Sequence, residues 1–285
     1  MLKISKNHIL FGAYVIIITL FFLYYLFPSE SLRDYCAYRL SQISPDTRAD
    51  IKDVKLAFPP GFRLAHVDLY HFEQAIGSID HIKIKPDLLS FISKYTSWSY
   101  SGKAYTGKFN GSAEIAPDSP THRVLINTTF SGIQLKDIAA IRRVIDYQIS
   151  GMLDGKLAYK TDSRNQSLRG NIRLSNCKVD LDIPLLALES LTFKDVTADL
   201  LMNNQTLTIQ RCRAQGNQMD ASISGTIITG QGILDLSGTL NPQHALLAKL
   251  KNNLAVKLLN AGNTDNQGFA FKIRGTLDAP EFTFN

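Results

Sequence analysis

The sequence predicts a mainly β chain: an N-terminal transmembrane helix, then a long, twisted and curled antiparallel sheet with two or three accessory helices. Three observations carry this. Ile9 to Phe27 is a run of 19 residues without a charge. From Ile51 onward, apolar and polar residues alternate with a period of two in segment after segment. These segments return about every 8 to 12 residues, with Gly, Asn or Asp between them. The composition, 45% hydrophobic and 20% charged, is that of a folded chain and excludes disorder. The net charge of +6 is spread along the chain, which gives no case for nucleic acid. It suits contact with anionic headgroups as well as ordinary solubility.

The apolar run sets the expected organisation. At about 1.5 Å per residue it spans roughly 30 Å, the thickness of a bilayer core. Ile9, Tyr14, Ile18, Phe22 and Phe27 mark the anchor along its length, and Tyr24, Tyr25 and Phe27 sit where an aromatic belt meets headgroups. Lys3 and Lys6 precede it with no acid among them, while Glu30, Arg33 and Asp34 after it nearly cancel. The positive-inside rule then puts 1–8 in the cytoplasm, 9–27 across the membrane and the rest outside. A cleaved signal peptide has a shorter apolar core and a small-x-small site. Here the run ends Tyr-Tyr-Leu-Phe-Pro-Ser-Glu, so an uncleaved anchor is expected.

Beyond Pro28 a helical stalk is expected over 28–50, because Leu32, Cys36, Leu40 and Ile43 recur at three and four residues before Pro45. A β-rich domain follows over 51–285. Val54, Leu56 and Phe58 alternate up to the turn Pro59-Pro60-Gly61. Phe62 and Leu64 give way to Val67 and Leu69 with a change of parity, which predicts a bulge. Ile82 and Ile84 lead to Pro86 and a short helix over 87–94. Leu168, Ile172 and Leu174 alternate with Arg169, Asn171 and Arg173, and Val179, Leu181 and Ile183 form a further alternating run. Phe269, Phe271 and Ile273 do the same near the end. One apolar and one wet face mark antiparallel sheet covered on one side. Helical periodicity is expected over 134–148 and 243–260. A glycine followed two residues on by an aliphatic recurs at Gly151, Gly155, Gly170, Gly225, Gly232, Gly238 and Gly275. Such glycines let a long sheet curl.

Catalytic chemistry is not signalled. The chain lacks G-x-S-x-G, H-E-x-x-H, a P-loop and G-x-G-x-x-G, so no enzyme activity, cofactor or metal is expected. His66 and His71 have opposite strand parity and share no ligand face. Of three cysteines, Cys177 and Cys212 fall in β-like regions. In an oxidising compartment they could pair, if their Cα atoms approach closely; otherwise they are small buried side chains. Trp98 with Tyr95, Tyr100 and Tyr105 forms an aromatic group in a polar stretch. It reads either as a loop touching membrane or partner, or as a small satellite core. Arg169, Arg173 and Lys178 read as a solvated face.

A dozen one-sided strands need their apolar face covered. Two stacked sheets would do this, and so would one sheet curled on itself to line a groove with helices at its ends, the arrangement expected here. Acyl chains are the natural ligand if the groove is open, and a groove filled by side chains is only a core. The order of segments adds a resemblance. The chain runs from the membrane helix to Val54-Lys-Leu-Ala-Phe-Pro-Pro-Gly-Phe-Arg-Leu64, then Ile84-Lys-Pro-Asp-Leu-Leu-Ser-Phe-Ile92. Gly132-Ile-Gln-Leu-Lys-Asp-Ile138 and Ile149-Ser-Gly-Met-Leu-Asp-Gly155 follow, and it closes on Ile273-Arg-Gly-Thr-Leu-Asp-Ala-Pro-Glu-Phe282. Over nearly its whole length this resembles the type II secretion system protein N family in its AsmA-like form. The resemblance implies a bacterial inner-membrane, single-pass, mostly periplasmic and non-enzymatic accessory component, with other secretion-system envelope proteins as partners. It implies alternatively an AsmA-like lipid-binding or lipid-shuttling protein of the envelope.

Overall fold

Alternation of period two becomes one sheet in the computed structural model of the chain. The structure describes residues 6–41, 47–57, 61–93, 95–116, 123–139, 141, 148–162, 165–185, 188–243, 246, 268–277 and 279–284. Two helices lead: α1 (Lys6–Tyr25) and α2 (Ser29–Ser41). The first strands are β1 (Thr47–Ala57), β2 (Gly61–His71), β3 (Gln74–Pro86), β4 (Thr96–Ala104) and β5 (Gly107–Ile115). The middle of the sheet is β6 (Val124–Gln134), β7 (Ile149–Asp162), β8 (Asn165–Leu185), β9 (Leu188–Asn203) and β10 (Thr206–Gly216). The last four are β11 (Met219–Ile228), β12 (Ile233–Pro242), β13 (Phe269–Thr276) and β14 (Pro280–Phe284). All pair antiparallel with their sequence neighbours, in the order β1 to β14 without a crossover. At about 4.8 Å per strand this meander is roughly 60 Å across. The accessible surface is 19766 Å², against roughly 12,000 Å² for a compact chain of this mass.

Several expectations change. The stalk expected over 28–50 holds a helix, α2, that is separate from α1. Leu26 closes α1 by donating its N–H to the Phe22 carbonyl, and α2 starts with Leu32 donating to the Pro28 carbonyl. A residue before proline avoids the helical region, so the chain breaks at Phe27. α2 then packs on the sheet. Leu32, Cys36, Ala37 and Leu40 cover Ile51, Val54, Leu64 and Val67, a core cluster in which Val54 is 1% exposed. Each such side chain contributes roughly 1.5–3 kcal/mol. Residues 47–50 already belong to β1, so the sheet starts earlier than 51.

α1 runs Lys6–Tyr25 rather than 9–27. Leu10, Phe11, Ile17, Phe21 and Phe22 on it are exposed. Among the described residues no helix is long and apolar enough to cross a membrane. The apolar Ile9, Ala13, Ile16, Leu20 and Leu23 have side chains outside the described set.

The helix expected over 87–94 is a five-residue 3-10 turn, Leu88–Ile92, capped by the Asp87 carboxylate, which accepts from Leu89 N–H at 3.1 Å. Of the helix expected over 134–148, residues 135–137 form a 3-10 turn; 140 and 142–147 lie outside the described residues. The helix expected over 243–260 lies outside them too, except for 243 and Leu246. The two alternating runs at 168–174 and 179–183 are one 21-residue strand, β8. The parity change in β2 is not a bulge. Pairing with β1 keeps step from Asp53↔Ala65 to Ile51↔Val67, and His66 takes φ 49° between them. The register shifts further along, between Leu69 and Tyr70.

Candidate functional site

Register, rather than strand content, builds the apolar face. One cross-strand row begins Val54, Leu64, Ile82, Gly102, Phe109 on β1 to β5. It continues through Phe130, Gly155, Ile172, Ala198 and Cys212 on β6 to β10. Ile223, Gly238, Phe271 and Phe284 complete it on β11 to β14. Every member is apolar or glycine. The neighbouring row, two residues along each strand and three on β10 where the register shifts, includes Phe62, Ile84, Tyr100, Gly111, Thr128 and Leu157. Gly170, Leu200, Ile209, Gly225, Leu236 and Ile273 extend it. Its two hydroxyls satisfy each other, with Tyr100 Oη and Thr128 Oγ1 2.5 Å apart.

Within these rows glycines stand opposite aromatic rings. A Cβ on Gly102 would lie 2.5 Å from Phe109 Cζ, one on Gly155 2.7 Å from Phe130 Cζ, and one on Gly238 2.6 Å from Phe271 Cζ. A Cβ on Gly111 would lie 2.5 Å from Tyr100 Oη. The outer end of each ring therefore lies over its partner's bare backbone, an arrangement that shields a strand glycine from water. The recurring Gly-x-aliphatic signal is partly explained: Gly155, Gly170, Gly225 and Gly238 belong to the rows. Gly151 sits instead where β7 shifts register against β8, and Gly232 in a turn at φ 65°. The sequence spacing did not show which ring meets which glycine, because the partner is on another strand.

Clustered core exists at two places among the described residues. One is the α2 end; the other groups Met219 and Leu246 with Leu191, Phe193 and Leu240. Between them, Ile172, Ala198, Cys212 and Ile223 of the first row and Leu157, Leu200 and Ile209 of the second are only half-buried. The apolar face is thus continuous but incompletely covered by described residues over β7 to β11.

The other face is wet. Lys83, Lys85, Lys156 and Arg169 border a cleft of about 740 Å³, where Ser, Thr and Asn residues alternate along the strands with second-row members such as Tyr100, Leu157 and Leu200. Arg173 holds Asp195 at 2.6 Å, which raises the guanidinium above its ordinary value, and Lys178 holds Asp180 at 2.7 Å. His81 is pushed below the usual imidazole value, first by burial and then by the charges of Arg63, Lys103 and Lys83. No three His, Cys, Asp or Glu among the described residues are placed to hold a metal.

The expected site residues separate. Cys36, Cys177 and Cys212 are free thiols, each pushed up by burial. Cys177 pairs with Phe193 and Cys212 with Ala198, on opposite sides of β9. Two strand spacings and a five-residue offset put them roughly 20 Å apart, well beyond the ~7 Å Cα limit for a disulfide. Of the anchor residues, Tyr14 and Phe22 are exposed and Ile18 half-buried, while the side chain of Ile9 lies outside the described set. Phe27 does something else: its ring stacks on Phe62 of β2 at 6.1 Å, tying the end of α1 to the sheet. The aromatic group expected around Trp98 is dispersed. Tyr100 lies in the second row, and Tyr105 sits in the β4–β5 turn, where its Oη accepts from Ser78 N–H at 2.7 Å. No family model matches the chain, and no curated protein or solved structure matches it.

Proposed function

We propose that the chain is a non-enzymatic envelope protein, anchored by α1 in a bacterial inner membrane with its sheet in the periplasm, that accommodates lipid acyl chains along its apolar face. The carrying observation is the pair of cross-strand rows, apolar or glycine except for the mutually bonded Tyr100 and Thr128, one of which contains Phe62, where Phe27 joins α1 to the sheet. Lipid tails leaving a bilayer need a continuous apolar path, since each exposed CH₂ costs about 0.8 kcal/mol. The exposed apolar side chains of α1 support the anchor, because in water they would form a large uncovered patch. The closing test is in-cell photocrosslinking from a benzophenone residue placed at Ala198, Ile223 or, on the opposite face, Thr197. Lipid adducts are expected at the first two. Equal yield at Thr197, or no adduct at either apolar position, overturns the proposal.

A second reading, an accessory component of a type II secretion system, is favoured by the two edges of the sheet. β1 and β14 each have one strand neighbour, and such an edge can accept a partner's strand by backbone pairing. Deleting the gene should then impair export of type II substrates; unchanged export removes this reading.

A further inference from the structure

We propose that the turn Leu88–Ile92 and the strand ends beside it form a second membrane contact, an apolar rim that dips into the headgroup and upper acyl region next to α1. This rests on the anchoring of α1 proposed above. The turn hangs off the end of β3, and its side chains face solvent: Leu88, Leu89 and Ile92 are 57%, 79% and 89% exposed. Tyr95 and Ile115 at the adjoining ends of β4 and β5 are exposed as well. A five-residue turn showing three bare aliphatic side chains to water is unfavourable unless something covers them.

The bilayer is the occupant because of where the turn lies. Phe27, the first residue after α1 and its closing turn, stacks on Phe62. Phe62 pairs with Ile84, and Leu88 is four residues further on, within about 13 Å along the chain. The exit of α1 and the rim therefore share one edge of the sheet. Several polar groups of the turn bond within the protein. Ser90 Oγ donates to the Asp87 carbonyl at 2.6 Å, Ser93 Oγ to the Tyr95 carbonyl at 2.6 Å, and Asp87 is occupied by Leu89 N–H. Lys83 and Lys85 on the last turn-proximal positions of β3 are exposed and in position to meet anionic headgroups. The opposite edge differs: there the exposed Phe72 sits beside an Arg48–Glu73 ion pair.

Trp98 reports on the rim. It is the one tryptophan of the chain and pairs with Pro86, at the root of the turn. The test uses the full chain reconstituted in vesicles of phosphatidylethanolamine and phosphatidylglycerol, with and without lipids brominated on the upper acyl chain. Trp98 fluorescence is expected to be quenched by the brominated lipid. Leu89→Asp with Ile92→Asp should cut the inserted population roughly tenfold or more, with quenching falling accordingly while the protein still floats with the vesicles. Quenching in the wild type equal to that of the double variant, or its absence in protein that floats, overturns the rim. Protein that fails to float at all overturns the α1 anchor instead. Unchanged far-ultraviolet circular dichroism of the variant shows that the sheet is intact.

Discussion

Replacing Gly155 by alanine tests whether ring-over-glycine pairing holds the middle of the sheet. The added Cβ would stand 2.6 Å from the Asn171 carbonyl oxygen and 2.7 Å from Phe130 Cζ. The first neighbour is backbone on β8 and the second a ring only 8% exposed, so neither yields freely. Overpacking of this kind costs about 1–3 kcal/mol. Alanine also restricts the unfolded chain, which returns about 0.4–1 kcal/mol. The net destabilisation is about 1–2 kcal/mol, or roughly 5- to 30-fold faster amide exchange where opening is local. Each strand pairs with its immediate neighbours alone, so the effect should stay on β6, β7 and β8 and leave β12 and β13 unchanged. Hydrogen–deuterium exchange read by mass spectrometry resolves this. Combining Gly155→Ala with Phe130→Leu should recover part of the loss, since the ring clash goes and the backbone clash stays. Unaltered exchange in β6 to β8, or an equal rise across all fourteen strands, would refute the reasoning.

Three further outcomes are expected. Val54→Ala removes a side chain held under α2 and should cost about 2 kcal/mol, seen as faster exchange in β1, β2 and α2 together; a change in β1 alone would mean that α2 is not docked. Because burial pushes all three thiols up, little thiolate exists at neutral pH. Alkylation should therefore be slow and quicken with pH, and mild oxidant should produce no Cys177–Cys212 crosslink on a non-reducing gel. The lowered His81 value means that neutral imidazole is favoured in the folded state. Its contribution to stability is complete above the ordinary value near 6.5 and is lost as pH falls through the lower folded value. Lys103→Gln should move the His81 titration upward in an NMR experiment on labelled histidine; no movement would show that the imidazole does not sense Lys103.

Much of the fold was legible along the chain. Alternation at 168–174 and 269–273 is an intrastrand property, and it marked the apolar face correctly because side chains of one strand can point only two ways. The break after Pro86 was also legible. The hairpin turns were less so. Phe72–Glu73 and Tyr105–Thr106 both take positive φ, at 47° and 62° and at 50° and 64°. Those conformations usually call for glycine or asparagine. At Tyr105 the compensation is distant, a hydrogen bond from Ser78 N–H. The α2 stalk was misjudged for a related reason. Its apolar positions signalled a helix with a face to bury, but not that the burying surface was β1 and β2.

By itself, the sequence determined an apolar N-terminal run, a succession of one-sided strands, and which residues of each strand are apolar. These follow from local periodicity and from the restrictions that proline places on its neighbours. Only the tertiary structure decided that Gly155 lies under Phe130, that Phe27 stacks on Phe62, that Cys177 and Cys212 stay apart, and that the Leu88–Ile92 turn shares an edge with the exit of α1. Each is a matter of register or docking between segments far apart in the chain. Register depends on every intervening turn and bulge, and a one-residue slip in any of them moves a whole strand's side chains to the other face.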